Sequence, residues 1–140
     1  MLTGINHITL SVSDLDRSFA FYADILGLRP IARWKQGAHL ECGKDWLCLS
    51  LDRATRKAPL PEYTHLAFSI AQQDFEAFCG KLARQGILPW KDNKSEGDSY
   101  YFLDPDGHRL EIHVGDLASR LASLPERSYE GLVLFEQEFR

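Results

Sequence analysis

The sequence lacks several features that would place it in a special class of protein. It has no apolar run long enough to cross a bilayer, and its first residues contain no basic segment leading into an apolar one, so neither a membrane span nor a secretion signal is predicted. Its 3 cysteines, Cys42, Cys48 and Cys79, are an odd number without a C-x-x-C pair, which argues against a disulfide framework or a zinc knuckle. We therefore expect a cytoplasmic protein with reduced thiols.

Positive charge is also scarce. The 16 lysine and arginine residues are outnumbered by 20 aspartate and glutamate residues, which gives a formal net charge of -4. This balance argues against nucleic acid or a membrane as a partner, although it leaves room for a local basic pocket that binds a small anion. With 140 residues, 44% of them hydrophobic, the chain has the size and composition of one globular domain spanning residues 1–140.

Two parts of the chain follow the same order of predicted elements, which is a strand, a helix and three strands. Apolar and polar residues alternate over residues 5–12 and again over 63–70, and each of these strands precedes a helical stripe that ends at a glycine, Gly27 or Gly86. Further strands are predicted at residues 30–34, 38–42, 46–51, 87–91, 100–103 and 109–114. The pattern indicates an internal duplication.

The duplication predicts an α+β fold made of two βαβββ modules, at residues 1–52 and 62–115. A polar, proline-containing linker separates the modules, and a C-terminal helix and an apolar tail occupy residues 116–140. His7 and His65 hold matching places on the polar faces of the first strands of the two modules. Equivalent strands of a duplicated unit lie side by side, so the two imidazoles are expected to approach each other across a cavity.

The last two strands read as a β-hairpin around Asp104-Pro105-Asp106-Gly107, because proline and glycine stand where a type I turn favours them. Alternation along the second strand turns Leu110, Ile112 and Val114 toward a core. Glu111 then lies on the opposite, polar face, together with Arg109 and His113.

Together, His7, His65 and Glu111 form a candidate metal site. Two neutral imidazoles and one carboxylate leave coordination positions open, which is typical of a catalytic divalent metal rather than a closed structural one. The strand of the first module that matches the one bearing Glu111 has no carboxylate, so three protein ligands are expected. Three histidines fall outside this set: His39, His108 and His113.

Paired modules with ligands on each first strand and on the last strand resemble the vicinal oxygen chelate superfamily. Nearly the whole chain is similar to its fosfomycin-modifying glutathione transferases, most strongly at Asn6–Leu10, Trp46–Ser50, Tyr63–His65, Lys94–Ser99 and Asp104–His108. The resemblance implies a cupped mixed sheet around Mn²⁺, a bound K⁺, and fosfomycin and glutathione as substrates. It also implies a homodimer with shared metal sites, in which His7 of one chain joins His65 and Glu111 of the other.

The resemblance further assigns the polar residues around the metal. Residues implied to hold the phosphonate and assist catalysis are Thr9, Lys91, Tyr101 and Arg120, with Tyr63, Ser95, Ser99 and Trp46 as further substrate contacts. Residues implied to bind K⁺ are Asn93, Ser95, Gly97 and Ser99. Residues implied to lie near the thiol are Trp34, Gln36, His39 and Cys48. His39 and Leu66 stand where these relatives usually have tyrosine, which leaves the details of thiol placement open.

The function expected from this assignment is the addition of glutathione to the epoxide of fosfomycin. Two alternatives stay open. Two histidines and one carboxylate are also the ligand set of Fe(II) oxygenases, so an extradiol dioxygenase, detectable by oxygen uptake with catechols, is one of them. The other is a non-catalytic drug-binding protein of the same fold, which would have no use for three matched metal ligands.

Overall fold

Two β-sheets, one from each half of the chain, form the framework of the structure, a computed structural model that describes residues 1–127 and 129–136. Elements of the first half are strand β1 (His7–Val12), helix α1 (Leu15–Ala20), a π-helical turn (Phe21–Ile25), and strands β2 (Arg29–Trp34), β3 (Gly37–Cys42) and β4 (Asp45–Leu51). Elements of the second half are β5 (Leu66–Ser69), α2 (Gln72–Arg84), β6 (Ser99–Leu103), β7 (Arg109–His113), α3 (Leu117–Ser123) and a 3-10 turn (Leu124–Glu126).

The strand order repeats between the two sheets. The first sheet has the order β1-β4-β3-β2, with β1 parallel to β4 and the other pairs antiparallel. The second has the order β5-β7-β6, with β5 parallel to β7 and β6 antiparallel to it. The first strand of each module therefore lies beside its last strand and at an edge of its sheet within the described residues. This arrangement supports the predicted duplication.

One predicted strand is absent, because residues 87–91 form no strand in the described structure. The proline at position 89 has no N–H for a ladder, and the segment is attached to β6 by a single backbone bond, from Trp90 N to Tyr101 O at 3.0 Å. The second module is consequently βαββ, and its sheet has three strands instead of four. The two sheets are not joined by a ladder within the described residues, so one chain by itself does not form a single continuous sheet.

Local signals place the helix ends well. Asp14 caps α1 by accepting a hydrogen bond from Arg17 N at 3.1 Å, and Asp116 caps α3 by accepting one from Ser119 N at 2.9 Å. The first helix changes from α to π geometry at Phe21, which the sequence did not predict. The apolar tail predicted after the C-terminal helix carries exposed side chains from Tyr129 to Phe135. Ser128 and residues 137–140 lie outside the described residues.

Both modules contribute to one hydrophobic core. Its buried members include Val12, Leu40 and Leu49 from the first sheet and Phe102 and Leu110 from the second. This shared core holds together two sheets that share no ladder within the described residues, since burial of apolar side chains is the main favourable contribution to folding.

Polar bonds also join the modules at the hairpin turn. Asp106 is buried and accepts hydrogen bonds from Ser13 N at 3.0 Å and from the Ser13 hydroxyl, at the end of β1. His108 Nε2 bonds the carbonyl oxygen of Ser11 at 2.7 Å. Gly107 N donates to Asp104 O at 3.0 Å, the bond that closes the predicted turn. The turn thus connects the β6–β7 hairpin to the strand that carries His7.

Two further expectations from the sequence concern cysteine pairing and membranes. Cys42, Cys48 and Cys79 are free thiols. Among the helices of residues 1–127 and 129–136, none has the length and apolar character needed to cross a membrane.

Candidate functional site

Strand β7 and the start of β5 bring two of the predicted metal ligands together. His65 stands immediately before β5, and its Nε2 lies 3.1 Å from Glu111 Oε1 on β7. The Glu111 side chain is only 6% exposed, whereas that of His65 is 33% exposed. A carboxylate so deeply buried requires a partner, and the accessible imidazole keeps the pair open on one side. The pair therefore forms half of a candidate metal centre.

His7 does not join this pair within one chain. No three His, Cys, Asp or Glu side chains of the described residues are grouped so that they could hold a metal ion. His7 begins β1 on the other sheet, where its exposed ring stacks on Trp46 at 4.1 Å between ring centres and its Nδ1 lies 2.7 Å from Asn6 Oδ1. His7, the third predicted ligand, is therefore held by contacts within its own module and lies apart from His65 and Glu111.

The residues that the resemblance places near the thiol lie on, or in a turn of, the same sheet as His7. The His39 ring makes edge contacts with Trp34 at 4.7 Å and Trp46 at 4.8 Å, and Trp46 in turn stacks on His7. His39 Nδ1 is buried and has no hydrogen-bond partner among the described residues. Cys48 lies beside His39 in the strand register and beside Thr9 on its other side, and Gln36 is exposed in the turn before β3.

An aromatic cage surrounds Lys91 on the second module. Its Nζ donates a hydrogen bond to the Tyr63 hydroxyl at 3.1 Å and lies 4.4 Å from the centre of the Tyr101 ring and 5.5 Å from that of Trp90. The hydrogen bond with Tyr63 raises the pKa of Lys91 above its ordinary value, so this side chain stays a cation. Tyr101 pairs with Glu111 across the ladder, which places the cation next to the His65–Glu111 pair.

The loop from Asn93 to Ser99 is held by its own polar groups. Asn93 Oδ1 accepts hydrogen bonds from Ser95 N at 2.9 Å and from Ser95 Oγ at 2.7 Å, while Asn93 Nδ2 donates to Gly97 O at 2.7 Å. Gly97 has a φ of 78°, and a Cβ there would lie 2.2 Å from Val114 O, so only glycine lets the loop pack on the end of β7. Three of the four predicted K⁺ residues thus lie in one turn.

Arg120 on α3 faces the same loop. Its Nε lies 3.6 Å from Glu96 Oε2, and both atoms are buried without a hydrogen-bond partner in the described residues. A charge pair at this distance that makes no hydrogen bond is held loosely. The guanidinium is therefore a candidate anion contact that now faces a carboxylate.

One residue of the site was missed by the sequence analysis. His113 had been left outside the ligand set because it has no counterpart in the first module, yet its Nδ1 lies 3.4 Å from Glu111 Oε2. Ser99 Oγ bonds both side chains, at 2.6 Å to Glu111 Oε2 and 2.5 Å to His113 Nδ1. Alternation already placed His113 on the face of Glu111, and this signal could have identified it.

A separate cavity of about 470 Å³ lies between β1, the linker and the start of β5. Apolar residues that line it include Ile8, Leu10 and Leu66, and His65 is the one predicted metal ligand at its wall. It thus borders the candidate metal centre but is lined by neither Glu111 nor the two candidate phosphonate cations, Lys91 and Arg120.

Comparisons with known proteins agree on one superfamily. The sequence profile described as "Glyoxalase/Bleomycin resistance protein/Dioxygenase superfamily" matches residues 4–112. The chain is 52% identical over 140 residues to glutathione transferase FosA of Serratia marcescens, covering 99% of both proteins. It is 39% identical over 143 residues to metallothiol transferase FosB of Shouchella clausii, covering 99% of this chain and 98% of that protein.

A solved structure extends this likeness to three dimensions. The FosX fosfomycin resistance protein of Listeria monocytogenes, as a variant complexed with Mn(II) and 1S,2S-dihydroxypropylphosphonic acid, aligns with a TM-score of 0.73 at 26% identity. The alignment covers 87% of this chain and 99% of that one. The chain therefore belongs to the glyoxalase, bleomycin resistance protein and dioxygenase superfamily, which confirms both the predicted resemblance and the α+β fold class.

Proposed function

We propose that this protein is a metal-dependent transferase that inactivates fosfomycin by adding the thiol of glutathione to its epoxide ring. The observation that carries the proposal is the buried Glu111 carboxylate, paired with His65 at 3.1 Å and flanked by the Lys91 cation. A carboxylate and an imidazole suit a divalent metal, and a caged cation beside them suits an anionic substrate. The similarity to FosA supports glutathione as the thiol, and the cytoplasm keeps such thiols reduced.

The chemistry of the His65–Glu111 pair fits a metal. Two ligands that lie ~2.1 Å from one ion at ~90° to each other are about 3 Å apart, close to the separation of His65 Nε2 and Glu111 Oε1. Together with His7, these atoms would hold Mn²⁺, the ion named in the FosX complex. When bound, the metal supplies a Lewis acid for the epoxide oxygen.

The residues around the metal would bind and orient the phosphonate. Lys91 supplies a fixed cation, and Arg120 is available because its contact with Glu96 contains no hydrogen bond. Side chains that would complete the phosphonate site are Thr9, Tyr63, Ser95, Ser99, Tyr101 and Trp46. Fixing the phosphonate turns an epoxide carbon toward the thiol, which is a contribution of proximity and orientation.

The loop oxygens of Asn93, Ser95 and Gly97, with Ser99 beside them, would bind K⁺. These atoms now form hydrogen bonds with one another within one short turn. A K⁺ ion that bound the same oxygens would hold the loop in place next to the phosphonate. On the other module, Trp34, Gln36, His39 and Cys48 would line the approach of glutathione to the metal. The Trp34, His39 and Trp46 rings, which contact one another, would offer glutathione an aromatic surface.

The active form would be a homodimer with two shared metal sites. His7 stands on a different sheet from His65 and Glu111 in one chain, and both β1 and β5 have an unpaired edge within the described residues. A partner copy that supplies His7 to the His65–Glu111 pair completes a set of three ligands. Mixed dimers of His7→Ala and Glu111→Ala chains should regain activity, because one of their two sites keeps all three ligands. Inactive mixed dimers of verified composition would contradict the shared site.

The reaction itself is tested by the product. Incubation of the protein with Mn²⁺, fosfomycin and glutathione, followed by phosphorus NMR and mass spectrometry, should yield a fosfomycin–glutathione adduct. Omission of the thiol and the Glu111→Gln variant are the controls, and both should leave fosfomycin intact.

Hydrolysis is the second candidate, favoured by the dihydroxypropylphosphonic acid in the similar FosX structure. That diol is the product expected when water opens the epoxide. The thiol is preferred here because it is already partly ionised near neutral pH and needs less help from a general base. A diol that forms at the same rate with and without glutathione would make this protein a hydrolase.

A further inference from the structure

The face of Glu111 turned away from His65 is held by a short polar relay. Ser99 Oγ lies 2.6 Å from Glu111 Oε2 and 2.5 Å from His113 Nδ1. His113 follows Glu111 by two residues on β7, and Ser99 pairs with His113 across the ladder from β6, so all three side chains occupy one face of the sheet. Oε1 is thereby left to His65, and Oε2 is taken by the relay.

Hydrogen-bond chemistry fixes the direction of this relay. The Ser99 hydroxyl carries a single proton, and it donates this proton to Glu111 Oε2. Ser99 Oγ then has only lone pairs to offer His113, and His113 Nδ1 must carry the proton that it donates to Ser99. The histidine therefore orients the serine, and the serine in turn orients the carboxylate.

The backbone at Gly97 and Gly115 packs closely against the His113 ring. A Cβ at Gly97 would lie 3.1 Å from its Cε1, and a Cβ at Gly115 would lie 3.0 Å from its Nε2. Both glycines have positive φ, 78° and 137°, so side chains are disfavoured at both places for conformational reasons as well. With its side chain only 13% exposed, the ring has little room to move away from Ser99.

We propose that His113 is a positioning residue which, through Ser99, aims the Glu111 carboxylate at the metal. The inference rests on the proposed metal site. It gives Ser99 a second role, the orientation of Glu111, in addition to contact with substrate or K⁺. Without the Nδ1–H donor, the Ser99 hydroxyl is free to rotate toward other acceptors, and Glu111 loses the bond that fixes its plane. Partners of this kind for metal ligands typically change metal affinity about 10- to 100-fold when they are mutated.

The test compares two replacements of the same ring by their Mn²⁺ affinity, measured as free Mn²⁺ by electron paramagnetic resonance. His113→Leu keeps the bulk but removes the donor, and should weaken Mn²⁺ binding at least about 10-fold. His113→Asn places an amide N–H near the position of Nδ1 and should bind Mn²⁺ nearly as tightly as the wild type. Equal affinity of His113→Leu and wild type, or equal weakening by both replacements, would overturn the proposal, since the ring would then only fill space.

Four further variants separate this inference from the metal site itself. Ser99→Ala breaks the relay without touching the histidine and should weaken Mn²⁺ binding, and adding His113→Leu to it should have little further effect. Ser69→Ala removes a hydroxyl from β5, the strand on the other side of His113 from Ser99, and should leave Mn²⁺ affinity unchanged.

Failure of the proposed metal site would give a different result. In that case the wild type would bind no Mn²⁺, or Glu111→Gln would bind Mn²⁺ as tightly as the wild type. Should His113→Leu not fold, the Ser99→Ala measurement decides, and unchanged Mn²⁺ affinity in it overturns the relay.

Discussion

Replacing Tyr22 with phenylalanine should destabilise the protein by an amount that depends on pH. Tyr22 is fully buried, and its hydroxyl donates a 2.6 Å hydrogen bond to Asp104 Oδ2 in the turn of the second module. Asp104 is itself 5% exposed, and its other oxygen accepts from the backbone N–H groups of Asp106 and His108. Deleting the hydroxyl leaves one buried carboxylate oxygen without a partner.

The expected loss follows from that geometry. A hydrogen bond to a charged group contributes about 1.5–3 kcal/mol. With an unfolding entropy of roughly 2.1 cal/mol/K per residue, a chain of 140 residues should melt about 5–10 °C lower. Scanning calorimetry at equal protein concentration measures this shift. Tyr100→Phe is the matched control, since the Tyr100 hydroxyl bonds the neutral carbonyl of Ile87 at 2.7 Å and should contribute only about 0.5–1.5 kcal/mol.

The sign of the pH dependence tests the cause. Burial raises the pKa of Asp104, and the hydrogen bond from Tyr22 partly opposes that rise. A carboxyl with a raised pKa stabilises the fold most when it is protonated, and this contribution is lost as the pH rises through the folded-state pKa. Tyr22→Phe raises that pKa further, so its destabilising effect should be largest at neutral pH and shrink on acidification. Equal losses at neutral and acidic pH, or the same pH profile in Tyr100→Phe, would refute the reasoning.

The remaining predictions concern the site and the alkaline limit of stability. Burial raises the pKa of Tyr22 well above 10.0, so wild-type stability should fall above about pH 10 while Tyr22→Phe is spared that loss, as alkaline melting curves would show. His65→Ala should abolish Mn²⁺-dependent turnover with little change in far-UV circular dichroism, since the ligand is one-third exposed. Lys91→Met should raise the KM for fosfomycin more than that for glutathione in steady-state assays. Gly97→Ala should lower both melting temperature and activity, because its Cβ would meet Val114 O at 2.2 Å. K⁺ should raise turnover over Na⁺ at equal ionic strength, and equal rates would count against the loop assignment.

The parts of the fold that the sequence predicted well are those determined locally. Gly27, Gly86 and Gly107 all adopt positive φ, as expected for two helix ends and a turn. The strand at residues 87–91 was wrong because the strand order of the first module was given more weight than the proline within the segment. Apolar periodicity predicts which face is buried, but a ladder also needs an N–H at each bonding position.

Contacts between distant parts of the chain were the hardest to predict. Asp104 and Asp106 were predicted only as turn residues, yet both are buried, because Tyr22 and Ser13 from the other module reach them. The proximity of His65 and Glu111 was predicted as part of the candidate metal site, in which Glu111 of the last strand joins the histidines of the first strands. The relay through His113 was missed because the repeat says nothing about a residue that has no counterpart in the first module.

The repeat also explains why the candidate site is divided within one chain. Because β1 lies beside β4 as β5 lies beside β7, the edges of β1 and β5 are equivalent, and neither has a ladder partner on its outer side in the described structure. Such edges favour pairing with another strand. Pairing β1 of one copy with β5 of another would satisfy both edges and carry His7 toward His65, whereas the shared core holds the two modules of one chain together through their helices. In the proposed homodimer the metal site and the dimer would form together, so Mn²⁺ binding and dimer formation should each strengthen the other.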